Sequence, residues 1–345
     1  HCIFECHYCI NRKSSNVARA RFTPQEVVDL TLNFYRRNYI EGLFLSSGIV
    51  RSANHTMEQL VEVARILREE HDFRGYIHLK TIPEADAEII HAAGLYADRV
   101  SINVELPTDA GLTRLAPDKN AAQIEGAMGR TKARIIEAKD ERKRFRHAPR
   151  FAPAGQSTQM IVGADGANDT AIIGKASRLY GAFGLRRVYY SAFSPIPDAS
   201  AVLPLKRPPL LREHRLYQSD WLMRFYGFAP HEVADAAEAD GNLPLDIDPK
   251  LAWALKFRAS FPVDVNRAAK EQLLRVPGLG TTAVARIITA RRHRTLRLDD
   301  VARLTASIAK VRPFICALDW RPTLLTDRAD LRRLLAPRQE QLELF

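Results

Sequence analysis

The sequence predicts an α/β fold built on a parallel sheet, followed by a small all-α domain. Two observations carry this prediction. Short apolar segments alternate with amphipathic segments from residue 23 to about residue 195, and the rest of the chain shows mainly helical patterns. The chain has 345 residues, of which 46% are hydrophobic, so it is long enough for two domains with ordinary cores.

Strands and helices are expected to alternate along the first part of the chain. Thr23, Pro24 and Glu26 form the pattern of a capped helix start, and Thr56 is expected to cap a second helix. Strands are predicted at residues 42–47, 76–82, 99–106, 159–164 and 187–193, with further helices beginning near residues 83, 120 and 168. This alternation builds βαβ units and a parallel sheet, and a sixth strand is expected just before His1.

Four regions are predicted along the chain. Residues 1–205 would form the α/β domain, and residues 206–260 a helical connection with loops rich in Pro and Asp. Residues 261–319 would form the small helical domain, and residues 320–345 a tail.

The net positive charge is concentrated in the last quarter of the chain. Residues 250–345 contain 19 Lys and Arg against 9 Asp and Glu, whereas the other residues contain 32 against 31. This distribution favours a nearly neutral body and a basic region that meets a polyanion. A solvated helical surface explains the charge equally well, so charge alone does not decide between the two.

The sequence predicts a cytoplasmic protein without membrane spans. No uncharged apolar segment approaches the roughly 20 residues that a membrane-spanning helix needs. Three of the four cysteines lie within the first nine residues, which is unlike the spread of a disulfide framework and typical of a ligand cluster in a reducing compartment. Cys316 lies in an apolar segment and is expected to be a core residue.

The clustered cysteines follow the pattern Cys2-x3-Cys6-x2-Cys9. Thiolates at this spacing let one loop hold three corners of a cubane iron–sulfur cluster, so the fourth iron is left open to another ligand. Tyr8, directly before the third cysteine, supplies an aromatic face. A zinc site with His1 as a fourth ligand and inert buried thiols are the alternatives.

Cys-x3-Cys-x-aromatic-Cys at the start of a β/α series resembles the radical S-adenosylmethionine (SAM) superfamily. The resemblance implies a partial (β/α)6 TIM-type barrel, whose first strand would precede His1. It also implies two cofactors, a 4Fe–4S cluster on the three cysteines and SAM at the open iron. In that superfamily the reduced cluster cleaves SAM, and the resulting 5′-deoxyadenosyl radical abstracts hydrogen from a substrate. An electron donor such as flavodoxin or ferredoxin is therefore an expected partner.

The resemblance also assigns residues to the SAM site. Ser46, Ser47 and Gly48 stand where the superfamily has a small-residue motif for the methionine amino group, although Ile49 replaces the acidic residue common there. Tyr8 would lie near the cofactor. The remaining assignments are Ser101, Asn103 and Glu105 for the ribose and carboxylate and Gly163 for adenine. For each polar residue, a hydrogen bond at a strand end is the alternative.

A second motif lies in the basic region, where residues 273–280 read LLRVPGLG. This resembles a helix-hairpin-helix, whose glycines allow a tight turn and expose backbone N–H groups to a phosphate oxygen. Gly278, Gly280, Thr281 and Arg286 are therefore predicted to contact DNA without reading its sequence. Further phosphate contacts are expected from Arg291, Arg292 and Arg294. A plain αα-hairpin with glycines in its turn is the alternative.

A third motif closes the chain, where Gln341, Leu342, Leu344 and Phe345 belong to the segment QLELF. It resembles the short peptide by which bacterial DNA polymerases and repair proteins bind the sliding clamp. Gln341 would bond at the rim of the groove, while the three apolar side chains fill its pockets. A frayed amphipathic end is the alternative.

Three further segments, residues 151–159, 189–195 and 215–221, resemble the DNA modification/repair radical SAM protein family, which carries a C-terminal helix-hairpin-helix domain. The resemblance covers nearly the whole chain. It implies a radical SAM enzyme that acts on nucleic acid, with DNA favoured over RNA, and a uracil-DNA-glycosylase-like protein as a partner. Two other functions stay open, an RNA-modifying radical SAM enzyme and a DNA-binding adaptor whose cluster is structural or redox-sensing.

Overall fold

The computed structural model describes residues 2–197 and 199–336, and the chain divides into two compact units. The first comprises His1–Ala167 and Lys175–Pro209, and the second comprises Asn168–Gly174 and Leu210–Phe345. The main break therefore lies close to the predicted boundary at residue 205. The sequence divides the rest of the chain into a connection, a domain and a tail, yet their described residues all belong to the second unit, apart from residues 206–209.

A five-stranded parallel sheet organises the first unit. Its strands are β1 (Gly42–Leu45), β2 (Tyr76–Lys80), β3 (Arg99–Ser101), β4 (Gln156–Val162) and β5 (Arg187–Ala192). They pair in chain order, and every pair is parallel. All five carboxyl ends therefore lie along one edge, which is the edge that carries the active site in TIM-type barrels. The predicted parallel α/β architecture is confirmed, and the sheet is compatible with part of such a barrel.

Helices lie between the strands, as predicted. They are α1 (Pro24–Arg36), α2 (Ala53–Arg65), α3 (Ala87–Tyr96), α4 (Asp109–Leu115), α5 (Ala121–Arg144) and α6 (Asp169–Phe183). The capping box of α1 forms as expected, because the Thr23 N–H donates to Glu26 Oε2 at 2.7 Å and the Glu26 N–H donates to Thr23 Oγ1 at 3.3 Å.

The second helix begins earlier than the sequence predicts. Ser52 caps α2 by accepting the N–H of His55 at 3.1 Å, so the predicted cap at Thr56 is wrong. Thr56 lies inside the first turns of α2 and accepts the N–H of Val50 at 2.8 Å. The Thr56 hydroxyl therefore ties α2 to the loop that follows β1.

Alternation along β2 shows how the sheet builds the core. Ile77 and Leu79 are fully buried, and each such side chain contributes about 1.5–3 kcal/mol by leaving water. Between them, the His78 ring lies 4.6 Å from the Phe44 ring of β1. No residue that the structure describes bonds its buried Nε2 atom. Burial lowers the pKa of His78 to about 4, with Arg99 and Lys80 acting in the same direction.

The second unit is mainly helical. Its helices are α7 (Leu210–Phe225), α8 (Pro230–Asp235), α9 (Pro249–Lys256), α10 (Lys270–Arg275), α11 (Thr281–Ala290), α12 (Leu298–Leu304), α13 (Ile308–Val311) and α14 (Leu331–Leu335). It also contains a parallel pair of short strands, β6 (Val263–Asp264) and β7 (Ile315–Cys316). The expectation that residues 261–319 are all α is therefore wrong. Val263 and Ile315 are buried, and their pairing joins the two ends of the segment.

Part of the predicted tail is folded. Leu331 and Leu335 on α14 are buried, and Arg332 forms ion pairs with Asp246 at 2.6 Å and Glu238 at 3.0 Å. Within residues 2–197 and 199–336, no helix has the length and apolar character to cross a membrane.

Candidate active site

The three clustered cysteines lie around one cavity of about 540 Å3 at the carboxyl edge of the sheet. The loop that carries them is held by its own backbone, since the Cys9 N–H donates to Cys6 O at 2.8 Å. The Ile3 N–H donates to Ile49 O at 2.8 Å, which fastens the loop to the segment after β1. All three thiols therefore border the space where strand ends meet.

Cys2 packs directly against the segment after β1. A side chain at Gly48 would place its Cβ 3.3 Å from Cys2 Cβ, so only glycine fits there comfortably. The Ile49 N–H donates to Cys2 Sγ at 3.3 Å, while the Ile49 side chain is buried. Ile49 thus supports the cysteine through its backbone, although it departs from the acidic residue of the resembled motif. Ser46 and Ser47 also line the cavity.

Cys6 is the buried member of the three. Burial raises the pKa of its thiol to about 12, with Lys119 opposing the shift. Tyr8 lies beside it, and burial likewise raises the pKa of the Tyr8 hydroxyl well above its usual value. The sequence predicts an aromatic face near the cofactor, and the Tyr8 ring does line the cavity.

The three cysteines are compatible with a cluster held at one cavity. Among the described residues, no group of three or more His, Cys, Asp or Glu side chains is close enough to hold one metal ion. A zinc ion needs its ligands around one point, whereas a cubane needs thiols at separate corners of one space. Three cysteines that line one cavity are compatible with the second arrangement, and the zinc site stays the alternative. His1, the alternative fourth ligand of a zinc site, lies outside the described residues.

Charged side chains form part of the cavity wall. Glu105 is buried and forms an ion pair with Lys119, with 2.6 Å between Oε1 and Nζ. Burial would raise the pKa of Glu105, but Lys119 and then Lys80 outweigh it and hold the pKa below its ordinary value. The backbone of Glu105 has a φ of +63°, which is costly for a residue with a side chain. The fold thus holds one ionised carboxylate at the base of the cavity.

Glu84 is a second carboxylate on this wall. Neither of its oxygens, both buried, has a hydrogen-bond partner among the described residues. Burial raises the pKa of Glu84, and Glu105 acts in the same direction, so protonation of Glu84 is favoured more than that of an exposed carboxylate. Lys80 lies on the same wall, and burial lowers its pKa although Glu105 opposes the shift. Its Nζ donates to Gln159 Oε1 at 3.3 Å.

The other residues assigned to SAM divide into two groups. Asn103 and Glu105 follow the end of β3 and line the cavity, and Asn103 Oδ1 is buried without a hydrogen-bond partner in the described part of the chain. Ser101 does not line it, because it lies within β3, paired with Ser157 of β4. Gly163 does not line it either. Its φ of +79° and its close approach to the Pro208 ring, 2.8 Å from a Cβ built there, explain the glycine instead.

Sequence reasoning missed several polar residues of the cavity, among them Lys80, Glu84, Lys119 and Gln159. Lys80 closes β2 and Gln159 lies within β4, so the predicted strands could have indicated them. Lys119 precedes α5 in a loop without periodicity, and only the folded chain shows its pairing with Glu105.

A second cavity, of about 350 Å3, shares part of this lining. Cys2, Ser46, Ser47 and Gly48 border both spaces, and Arg19 and Arg21 are the cations of the second. A ligand at the segment after β1 therefore has polar surroundings on more than one side.

In the second unit, α10 and α11 are joined by a tight turn and form a hairpin, and its assignment as a helix-hairpin-helix stays a prediction. Gly278 is exposed at the turn with a φ of +83°, and a Cβ there would lie 2.8 Å from Val311 Cγ2. Gly280 caps α11, and Thr281 is exposed in its first turn. The first N–H groups of a helix have no partner within it, so they are available to an anion at this end.

The arginines after the hairpin do not all face outward. Arg286 and Arg292 are exposed. Arg294 is exposed as well, although it pairs with Asp300 at 2.5 Å. Arg291 instead is half-buried and donates to the carbonyl oxygens of Val265 and Ala268 at 3.1 and 2.7 Å. The expectation that Arg291 contacts phosphate is therefore wrong, because its guanidinium closes the fold of the unit.

Two remaining expectations concern the end of the chain. Gln341, Leu342, Leu344 and Phe345, predicted to bind the sliding clamp, lie outside the described residues. Cys316 is part of β7 and is half-buried beside the buried Phe314 and Ile315.

Comparison with known proteins gives little guidance. Neither the models of known families nor the curated proteins match the chain. Among solved structures, "Crystal structure of HydG: A maturase of the [FeFe]-hydrogenase" is similar with a TM-score of 0.48 and 14% identity. The match covers 65% of this chain and 47% of that one, so the chain spans about half the length of that protein. A likeness this distant carries no functional argument, so a function can be assigned only from the residues of the cavity and of the hairpin.

Proposed function

We propose that this chain is a radical SAM enzyme that acts on nucleic acid. The observation that carries the proposal is the position of Cys2, Cys6 and Cys9 around one cavity at the carboxyl edge of a parallel sheet. That edge is where barrel enzymes of this architecture place their chemistry. The volume of the cavity, about 540 Å3, lies within the range of ordinary cofactor and ligand sites.

The three cysteines would hold a 4Fe–4S cluster, and SAM would bind beside it. Together they supply a reducing electron and a carbon radical able to abstract hydrogen, which protein side chains cannot supply themselves. Ser46, Ser47 and Gly48 border the cavity beside Cys2, where the methionine end of SAM would lie.

The charged wall would orient the other end of SAM. Asn103 Oδ1 and the ionised Glu105 are acceptors for hydroxyl groups, and Lys119 fixes the Glu105 carboxylate in place. Glu84, with two oxygens free of protein partners in the described part, is an acceptor for a donor group of SAM or substrate. Burial of these groups excludes water, which protects a radical from quenching.

A nucleic-acid substrate is supported by the second unit. Its hairpin presents backbone N–H groups at the start of α11, and the region from residue 250 onward carries nearly all of the net positive charge of the chain. DNA is favoured over RNA because residues 273–280 resemble a helix-hairpin-helix, which positions DNA through its phosphates. The phosphate contacts alone would serve either nucleic acid, so the binding comparison below decides between them. A target base within a duplex would have to be flipped out, which costs a few kcal/mol.

Two alternative functions make different predictions. An RNA-modifying enzyme would bind folded RNA more tightly than duplex DNA. A DNA-binding adaptor with a structural or redox-sensing cluster would bind DNA but form no 5′-deoxyadenosine from SAM when reduced.

Anaerobic reconstitution tests the proposal. The Cys6→Ala variant is expected to lose most of its iron and the electron paramagnetic resonance signal of the cluster, because one of three anchors is removed. The reduced parent is expected to form 5′-deoxyadenosine slowly even without substrate. Cys316→Ala is the matched control, because this cysteine lies in β7 of the other unit and should leave both readouts unchanged.

Full iron loading with an unaltered signal in Cys6→Ala would contradict the assignment of the cluster loop. A fully loaded and reduced parent that forms no 5′-deoxyadenosine would favour the adaptor.

A further inference from the structure

One face of α7 carries a row of aromatic side chains. Tyr217, Trp221 and Phe225 follow one another at four-residue intervals, so they project from the same side of the helix. Trp221 and Phe225 are 51% and 49% exposed, and their ring centroids lie 5.0 Å apart. Adjacent aromatic side chains that are half exposed to solvent are typical of a ligand-binding or protein-binding surface.

A cavity of about 360 Å3 opens beside this row. Three of the side chains that line it are aromatic, namely Tyr217, Trp221 and Tyr226. Its polar lining includes Gln218, Asp248 and Lys250. The Asp248 carboxylate is already engaged, because it accepts the Leu251 N–H at 2.9 Å as the cap of α9.

Lys250 connects this cavity to the hairpin. Its side chain is buried, and its Nζ donates to the Leu279 carbonyl oxygen in the hairpin turn at 2.6 Å. The same Nζ lies 4.7 Å from the centroid of the Tyr226 ring. The Tyr226 hydroxyl lies 3.7 Å from the position that a Cβ on Gly280 would occupy. The aromatic cavity and the proposed phosphate site are therefore neighbours within one unit.

We propose that this cavity receives one unpaired nucleobase of a strand whose phosphate is held by the hairpin at Gly278 and Gly280. The inference rests on the nucleic-acid binding proposed above and adds a second contact to it. Every base has a π-face, so aromatic side chains can stack on any of the four bases. The exposed pair Trp221 and Phe225 continues the stacking surface beyond the cavity.

This site would change the preferred ligand of the unit. The hairpin alone contacts backbone and treats duplex and single strand alike, whereas an aromatic cavity requires a base that is out of the stack. Single strands, and duplexes with one bulged base, should therefore bind more tightly than a fully paired duplex of equal length.

Fluorescence anisotropy with the full chain tests the inference. The probes are a labelled 12-nucleotide single strand, a matched duplex and the same duplex with one bulged adenosine. Trp221→Ala is expected to weaken the single strand and the bulged duplex about tenfold, the order that one base–aromatic stack contributes. The matched duplex should change less than about twofold, and the log–log salt slope should stay the same because no phosphate contact is removed.

Three comparison variants make the result specific. Trp221→Tyr keeps an aromatic face and should restore the single-strand affinity. Leu324→Ala removes another exposed apolar side chain of the same unit and should leave all three affinities unchanged. Gly278→Val should weaken all three probes alike, because it distorts the hairpin backbone at a φ of +83°.

The outcomes separate this inference from the proposed function. If Gly278→Val weakens all probes and Trp221→Ala weakens none, nucleic-acid binding stands and the base site is refuted, so that the aromatic row is a docking surface for another protein. If the parent binds no probe even at low salt, the proposed nucleic-acid function fails and the base site fails with it.

Discussion

Glu105 and Lys119 show how a single ion pair can set the character of a cavity. The Glu105 carboxylate is buried and the residue has a φ of +63°. Both the loss of hydration and the backbone strain therefore cost free energy at this position. Lys119, at 2.6 Å, offsets the desolvation and keeps the group ionised.

Removing the Lys119 cation should therefore destabilise the folded chain, because the buried Glu105 carboxylate loses its partner. Lys119→Met is expected to lower the free energy of unfolding by roughly 3 kcal/mol, because Glu105 is left buried and unpaired. The double variant Lys119→Met with Glu105→Gln should recover at least half of this loss, since no charge then remains. Urea unfolding at neutral pH measures both changes. Equal loss in the single and double variants would show that Lys119 acts by packing rather than by charge.

At this scale the sequence identifies the cysteines and several residues of the same cavity, such as Tyr8 and Glu105, but not Lys119 or Glu84. Cys2, Cys6 and Cys9 are found by spacing alone, because one loop must hold them all. Lys119 is distant in sequence from every one of them and from Glu84, and no periodicity marks it. Such residues are brought together by the strand order, which a local pattern does not contain.

Among the elements, β2 places a histidine where it cannot easily be charged. Because burial lowers the pKa of His78 to about 4 from an unfolded value near 6.5, protonation favours the unfolded chain. The contribution of the neutral ring to stability is fully present above pH 6.5 and is lost as the pH falls towards 4.

Urea unfolding as a function of pH tests this. Between pH 6.5 and pH 4 the His78 contribution is expected to decline by roughly 2 kcal/mol, after allowance for solvent screening. His78→Gln should remove that part of the pH dependence, and the exposed His147→Gln should not. The same pH dependence in the parent and in His78→Gln would contradict a buried neutral ring.

Element types were more predictable than element ends. All five strands of the sheet follow from apolar segments between helix signals, and the capping box at Thr23 forms as its pattern indicates. The start of α2 was misplaced because Thr56 resembles a cap, while Ser52 occupies that position. The β6–β7 pair escaped prediction because two-residue strands have no period to detect.

Over the whole molecule, charge and chemistry occupy different parts of the chain. The thiols and the charged cavity lie in the first unit, while residues 250–345 hold 19 of the basic residues against 9 acidic ones. An enzyme that grips phosphate without reading sequence would be spread over all nucleic acid in the cell. A short docking motif would solve this by raising its concentration at one place.

The segment QLELF is our candidate for that motif, and it can be tested as a peptide. A peptide of residues 337–345 is expected to bind the bacterial sliding clamp at its polymerase-docking groove, because three apolar side chains would enter it. Leu344→Ala with Phe345→Ala should abolish binding, whereas Arg338→Ala, outside the motif, should not. Calorimetry decides the point, and absence of heat at near-millimolar peptide would refute the docking.

The bond from the Ile49 N–H to Cys2 Sγ has a consequence for biosynthesis. The cysteines are translated before Lys119 and Gln159, which line the same cavity. At about 5–20 residues per second, a ribosome needs roughly 10–30 s to reach the end of β4. During that interval the thiols are exposed to oxidants without a cavity around them. Insertion of the proposed cluster is therefore expected to follow formation of the sheet, and protection of the nascent loop from oxidants should raise the yield of loaded protein.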